Sequence, residues 1–182
     1  MSNFEFVFSL FGLLLGLSLA ELLAGFGRSL QKRAKLRIGC LLPLLGLLIL
    51  LDVASFWMVA WSIRDAVPID YFPLMVGLLI CCLYYLVATL VFPHDLDEWP
   101  DFDVYYFERR SLVIAGMIVC NALAVAGMAA LGVDPLPSLG DKVSIAIFLV
   151  SAAALTLVRG KRANLAILVF LVAQYPIGAA IR

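Results

Sequence analysis

Six long apolar stretches constrain this chain more than any other feature of its sequence. They lie at residues 4–26, 38–63, 71–92, 111–132, 143–158 and 163–181. A helix needs about 20 apolar residues to cross a bilayer core about 30 Å thick, and lipid offers no hydrogen bonds to an open backbone. The sequence therefore predicts an all-α integral membrane protein, a bundle of six transmembrane helices in a single domain over residues 1–182.

The overall composition supports a membrane protein and excludes other classes. Of the 182 residues, 64% are hydrophobic and 14% are charged, whereas soluble domains are nearer half apolar and a quarter charged. A disordered chain, a disulfide-stapled secreted module and a basic nucleic-acid-binding protein are excluded on the same grounds. We expect the lipid bilayer as the main partner and no nucleic acid.

The distribution of basic residues predicts the orientation. The first, third and fifth loops hold ten of the thirteen Lys and Arg residues, at positions 28–37, 109–110 and 159–162. Because short cytoplasmic loops carry an excess of basic residues, these loops are predicted to be cytoplasmic. Both the N-terminus and the C-terminus then lie outside, and we expect a multi-pass protein of a bacterial cytoplasmic (inner) membrane.

Two ionisable side chains, Glu21 and Asp52, lie inside the predicted spans. A charged side chain at a helix centre costs about 2.5–3.5 kcal/mol on insertion scales, so each should face the bundle and have a partner. Helical rise predicts a polar path that connects them with four further positions. These are Asn121, Gln174, either Tyr84 or Tyr85, and Ser55, which lies one turn beyond Asp52.

Two interpretations of this path stay open. In the first, protons or a small solute pass between the helices while Asp52 and Glu21 change protonation. In the second, Asp52 and Asn121 only hydrogen-bond neighbouring helices, and Glu21 reaches toward the basic first loop.

Small residues indicate where helices approach closely. Gly12 and Gly16 form a stripe on the first helix, and Gly116 and Gly127 belong to a second stripe on the fourth. Such stripes let helix backbones pack closely in membranes. The two stripes are expected to pack against each other within one chain, or the first to join two chains.

The longest loop, at residues 93–110, is acidic and aromatic. Its spacing predicts a short cytoplasmic interfacial helix before the fourth span. The candidate partner-docking residues there are Asp97, Trp99, Asp101 and Tyr106. The acids and the single histidine match no zinc or EF-hand spacing, so we expect no metal and no cofactor.

The sequence favours two non-enzymatic functions. It has one histidine and no nucleophile elbow or phosphate-binding loop, so we expect no enzyme and no catalytic residues. The first candidate is a transporter or channel for protons or a small solute. The alternative is an accessory or assembly subunit that docks a second copy or a larger membrane protein through the glycine stripe and the acidic loop.

Overall fold

The computed structural model describes residues 3–32, 39–68, 70–95, 98–99 and 101–181, with side chains for residues 8–178 of those ranges. The described residues form six α-helices joined by turns. These are α1 (Asn3–Gln31), α2 (Leu41–Ser62), α3 (Tyr71–Val91), α4 (Phe102–Ala130), α5 (Leu139–Leu157) and α6 (Lys161–Ile181).

The predicted helical bundle with membrane-spanning helices is confirmed at this level. Five of the six helices, α1 to α5, are long and apolar enough to cross a membrane. Within the described residues, α6 does not reach that threshold, although the sequence predicts a span at 163–181. It begins with Lys161 and Arg162 and contains Pro176.

Capping side chains explain the first residues of α5 and α3, of which the first differs from the predicted start and the second agrees with it. α5 begins four residues before the predicted start at 143, because Ser138 and Asp141 form a capping box that the hydropathy pattern does not reveal. α3 begins at the predicted residue 71, where the Asp70 side chain accepts a hydrogen bond from the Tyr71 backbone N–H at 2.7 Å.

The interfacial helix predicted before the fourth span is not a separate element. α4 continues unbroken through this region, starting after Asp101, whose side chain accepts from the Asp103 N–H at 2.8 Å. The aromatic side chains Phe102 and Tyr106 are fully buried, so they pack into the bundle. α4 ends before Gly132, whose φ of +73° is a conformation that favours glycine.

Helix α2 is central and packs against α1, α3, α4 and α6, while α5 packs against α4 and α6. Consecutive helices run in opposite directions, which gives the bundle two ends. We call the end where α1 stops and α2 begins the loop-1 end. The opposite end, where α2 stops and α3 begins, is the loop-2 end.

The two glycine stripes do not pack against each other, since the described parts of α1 and α4 make no contact. A Cβ on Gly12 would lie 2.8 Å from the Trp57 ring of α2, and one on Gly116 would lie 2.4 Å from Val87 of α3. Gly127 also faces α3, and Gly16 has open space beside it. Three of these glycines therefore accommodate a tryptophan or valine side chain of a neighbouring helix rather than another glycine.

Candidate functional site

A single carboxylate joins four helices in the middle of the bundle. Asp52 of α2 is 3% exposed and accepts hydrogen bonds from Tyr84 of α3 at 2.9 Å and from Tyr175 of α6 at 2.9 Å. The Asn121 amide nitrogen of α4 lies 3.0 and 3.1 Å from its two oxygens. We call Asp52, Tyr84, Asn121 and Tyr175 the Asp52 cluster.

Packing holds each donor of this cluster in place. The Tyr84 side chain is 1% exposed, and its ring lies 5.5 Å from that of Phe56. The Tyr175 ring meets Phe148 edge-on at 6.2 Å. The Asn121 amide also donates to the Met117 carbonyl one turn earlier, at 3.0 Å, which fixes its orientation.

All the hydrogen-bond donors to Asp52 among the described residues are neutral. A guanidinium or ammonium partner would hold the carboxylate in its ionised form. Tyrosine hydroxyls both donate and accept, and an asparagine amide offers an N–H₂ and a C=O. The same partners can therefore satisfy Asp52 whether it is ionised or protonated.

An apolar cavity of about 380 Å³ lies above the cluster, toward the loop-2 end. Its floor includes Phe56, Ile80 and Ala124, and these residues are one helical turn from Asp52, Tyr84 and Asn121, respectively. The start of α3 lines the cavity at the loop-2 end, which we call the mouth. The cavity thus reaches within one turn of the buried carboxylate.

A second polar network lies at the loop-1 end and was not predicted. Arg110 of α4 is 5% exposed and donates to the Val158 carbonyl at 2.5 Å and to the Asn164 side-chain oxygen at 2.5 Å. Tyr106 donates to the same Asn164 oxygen at 2.9 Å. Arg110 also lies over the Phe107 ring at 4.7 Å. These contacts place a cation at the C-terminus of α5, where the helix dipole favours it.

An ion pair completes this end of the bundle. Lys161 of α6 pairs with Asp103 of α4, and this hydrogen bond raises the pKa of the Lys161 ammonium above its ordinary value. Gly39 lies directly against the Asp103 carboxylate, since a Cβ there would overlap it. The network joins the starts of α4 and α6 to the end of α5, so its role is to hold these three helix ends together.

The remaining candidates for the polar path lie apart from Asp52. Glu21 pairs with Arg28 of the same helix at 3.1 Å, near the loop-1 end. Gln174 and Ser55 are half-buried but do not bond to Asp52, and Tyr85 is 39% exposed. On α6 it is Tyr175, the residue after Gln174, that bonds to Asp52.

The candidate docking residues are largely engaged within the chain. Trp99 packs edge-on against Tyr105 at 5.0 Å, Asp101 caps α4, and Tyr106 is fully buried. Asp97 lies outside the described residues. Within the described part of the chain, no three His, Cys, Asp or Glu side chains are grouped to hold a metal ion.

The chain matches no known family model, no curated protein and no solved structure. The Asp52 cluster and the cavity above it are the features of the described residues that bear on function.

Proposed function

We propose that this protein is a small multi-pass membrane transporter that moves protons and can carry a small solute, with Asp52 binding and releasing the proton as it crosses. The observation that carries the proposal is the Asp52 cluster, a buried carboxylate bonded by neutral donors from three other helices. We also propose that the loop-1 end faces the cytoplasm of a bacterial inner membrane, because ten of the thirteen basic residues belong to segments 28–37, 109–110 and 159–162, within or next to the first, third and fifth connections.

The cost of an interior acid supports this proposal. An asparagine at position 52 would also bond the neighbouring helices, without the penalty of about 2.5–3.5 kcal/mol for a charged Asp at a helix centre. A hydrogen bond between membrane helices contributes only about 0.6 kcal/mol on average. Helix adhesion alone is thus a weak reason to keep a carboxyl group there.

The position of Asp52 also suits a coupling role. Its bonds reach α3, α4 and α6 at once, so protonation changes the contacts of all three helices with α2. The cavity stops one turn short of Asp52, and Phe56 packs on Tyr84 between them. We propose that helix movement at this floor opens the cavity to the carboxyl group.

Proton flux in proteoliposomes tests the proposal. The purified full chain is reconstituted with an internal pH-sensitive dye, and flux is driven by a potassium diffusion potential. We expect Asp52→Asn to reduce the flux at least tenfold, while Glu21→Gln, the matched acid-to-amide change in the Glu21–Arg28 pair, retains it. Circular dichroism establishes that both variants are folded.

Two results contradict transport. One is a native flux no greater than that of empty liposomes, and the other is an unchanged flux in Asp52→Asn. The alternative, an accessory or assembly subunit, then becomes the working hypothesis. It predicts a stoichiometric partner in a native pull-down that charge reversal at Asp95 and Glu98 releases.

A further inference from the structure

The cavity at the loop-2 end combines aromatic rings with one carboxylate. Five of its lining residues are aromatic, and Asp70 at its mouth is the sole charged one among the described lining residues. The aromatic residues are Phe8, Phe11, Phe56, Tyr71 and Phe72. Aromatic faces attract cations, most strongly where water is excluded, and they do not attract anions. We therefore expect this apolar lining to favour a cation over an anion.

The net charge around the cavity at this end is also negative. Arg64 is the base nearest to the mouth in the sequence, but it pairs with Asp65 at 3.3 Å and lies over the Trp61 ring at 4.8 Å. Loops two and four, together with the first turn of α5, carry four described acids and two bases, a net charge of −2. The field at the loop-2 end thus favours the approach of a cation.

The shape of the cavity limits the ligand. Its volume of about 380 Å³ is at the lower end of the range of small-molecule pockets, about 300–1,000 Å³. From Asp70 to Ile80 at the floor is ten residues of helix, or about 15 Å. A compact molecule with an apolar body fits this space, whereas a hydrated metal ion would find no polar ligands below the mouth.

We propose that this cavity binds a lipophilic organic cation, an amine or quaternary ammonium with an aromatic or aliphatic body. The ligand enters at the loop-2 end past Asp70 and lies among the aromatic rings. That such a cation is also a transported substrate rests on the proposed transport function. Binding itself is measurable without transport.

The probe is phenyltrimethylammonium, and the control is benzenesulfonate, an anion of similar size. Binding of each radiolabelled compound to the purified full chain in detergent is measured by equilibrium dialysis. We expect saturable binding of the cation at least tenfold tighter than that of the anion. Equal binding of the two ions, or no saturable cation binding, would overturn the proposal.

Variants at the mouth test the site with matched controls. Asp70→Asn removes the charge but keeps a side chain that caps helices well, and we expect cation binding to weaken about 2- to 5-fold for a solvent-exposed charge. Asp134→Asn removes the same charge from an exposed acid outside the cavity and keeps an oxygen for the Leu136 N–H, so it is expected to change binding less than 1.5-fold. Phe72→Leu removes a half-exposed ring, and we expect a loss of about 2- to 5-fold.

The outcomes separate this inference from the proposed function. Cation binding that depends on Asp70 and Phe72, without any flux in liposomes, supports the cavity and contradicts transport. Proton flux that depends on Asp52, with no selective cation binding, supports transport and overturns the cation site. Equal effects of Asp70→Asn and Asp134→Asn also overturn it, because the attraction would then be general to this end of the bundle.

Discussion

Removing one hydroxyl from the Asp52 cluster measures how strongly its hydrogen bond to Asp52 stabilises the protein. Tyr84→Phe deletes a hydrogen bond of 2.9 Å between a 1% exposed side chain and a 3% exposed carboxylate. The ring stays, so its packing against Phe56 is preserved. A hydrogen bond to a charged group contributes about 1.5–3 kcal/mol, whereas an average neutral one between membrane helices contributes about 0.6 kcal/mol.

With Asp52 ionised, we expect Tyr84→Phe to lower the free energy of unfolding by about 1.5–3 kcal/mol. In an Asp52→Asn background the same substitution should cost only about 0.6 kcal/mol. The double-mutant cycle then gives a coupling energy of about 1–2.4 kcal/mol, the difference between the two costs. Unfolding is followed by circular dichroism as sodium dodecyl sulfate is added to mixed micelles at neutral pH.

Tyr85→Phe is the matched control, because Tyr85 follows Tyr84 on the same helix but is 39% exposed and does not bond to Asp52. We expect no coupling between Tyr85 and Asp52 beyond about 0.3–0.5 kcal/mol, the usual error of additivity. A Tyr84–Asp52 coupling equally small would refute the reasoning. Asp52 would then be bonded no more strongly than a neutral side chain.

Three further predictions concern stability at the loop-1 end and at the start of α5. Arg110→Met should lower the free energy of unfolding by about 2–4 kcal/mol, since it removes charge-assisted bonds to Val158 and Asn164; a loss under about 1 kcal/mol in the same titration would show that burying this cation offsets its bonds. Ser138→Ala should cost about 1 kcal/mol by removing the α5 cap, and an unchanged unfolding midpoint would contradict that. The raised pKa of Lys161 means that its pair with Asp103 stabilises the fold at neutral pH and is lost only as pH rises above 10.5. The difference in stability between the native protein and Lys161→Met should therefore stay constant up to the ordinary lysine pKa of 10.5 and shrink above it, and a difference that grows with pH would be inconsistent with the pair.

The sequence predicts a membrane protein correctly because the length and hydropathy of each apolar run do not depend on contacts with distant residues. Apolar runs of about 20 residues identify α1 to α4 regardless of how the helices pack. Asp52 was likewise recognisable as an interior acid, because its position within a long apolar run is enough to make it costly. Helix α5 was predicted too short, since its capping box lies in polar residues that hydropathy ignores.

The partners of Asp52 could be predicted only in part, because they depend on how each helix is rotated about its axis. Gln174 and Tyr175 are adjacent on α6 and therefore point about 100° apart. The sequence favours the polar glutamine as a neighbour of Asp52. The packing of α6 on α2 instead directs the tyrosine hydroxyl to Asp52. Arg110 was counted as a loop charge, whereas the carbonyls at the end of α5 hold it inside the bundle.

The sequence separations within the Asp52 cluster imply an order of assembly in the membrane. The partners of Asp52 lie 32, 69 and 123 residues further along the chain. At a synthesis rate of about 5–20 residues per second, Tyr175 is made about 6–25 s after Asp52. During that interval the acid must remain protonated, reach water or rely on Tyr84 alone and later on Asn121. Among the four helices of the cluster, the one that completes it is thus synthesised last, and the nascent protein carries an incompletely bonded acid until it arrives.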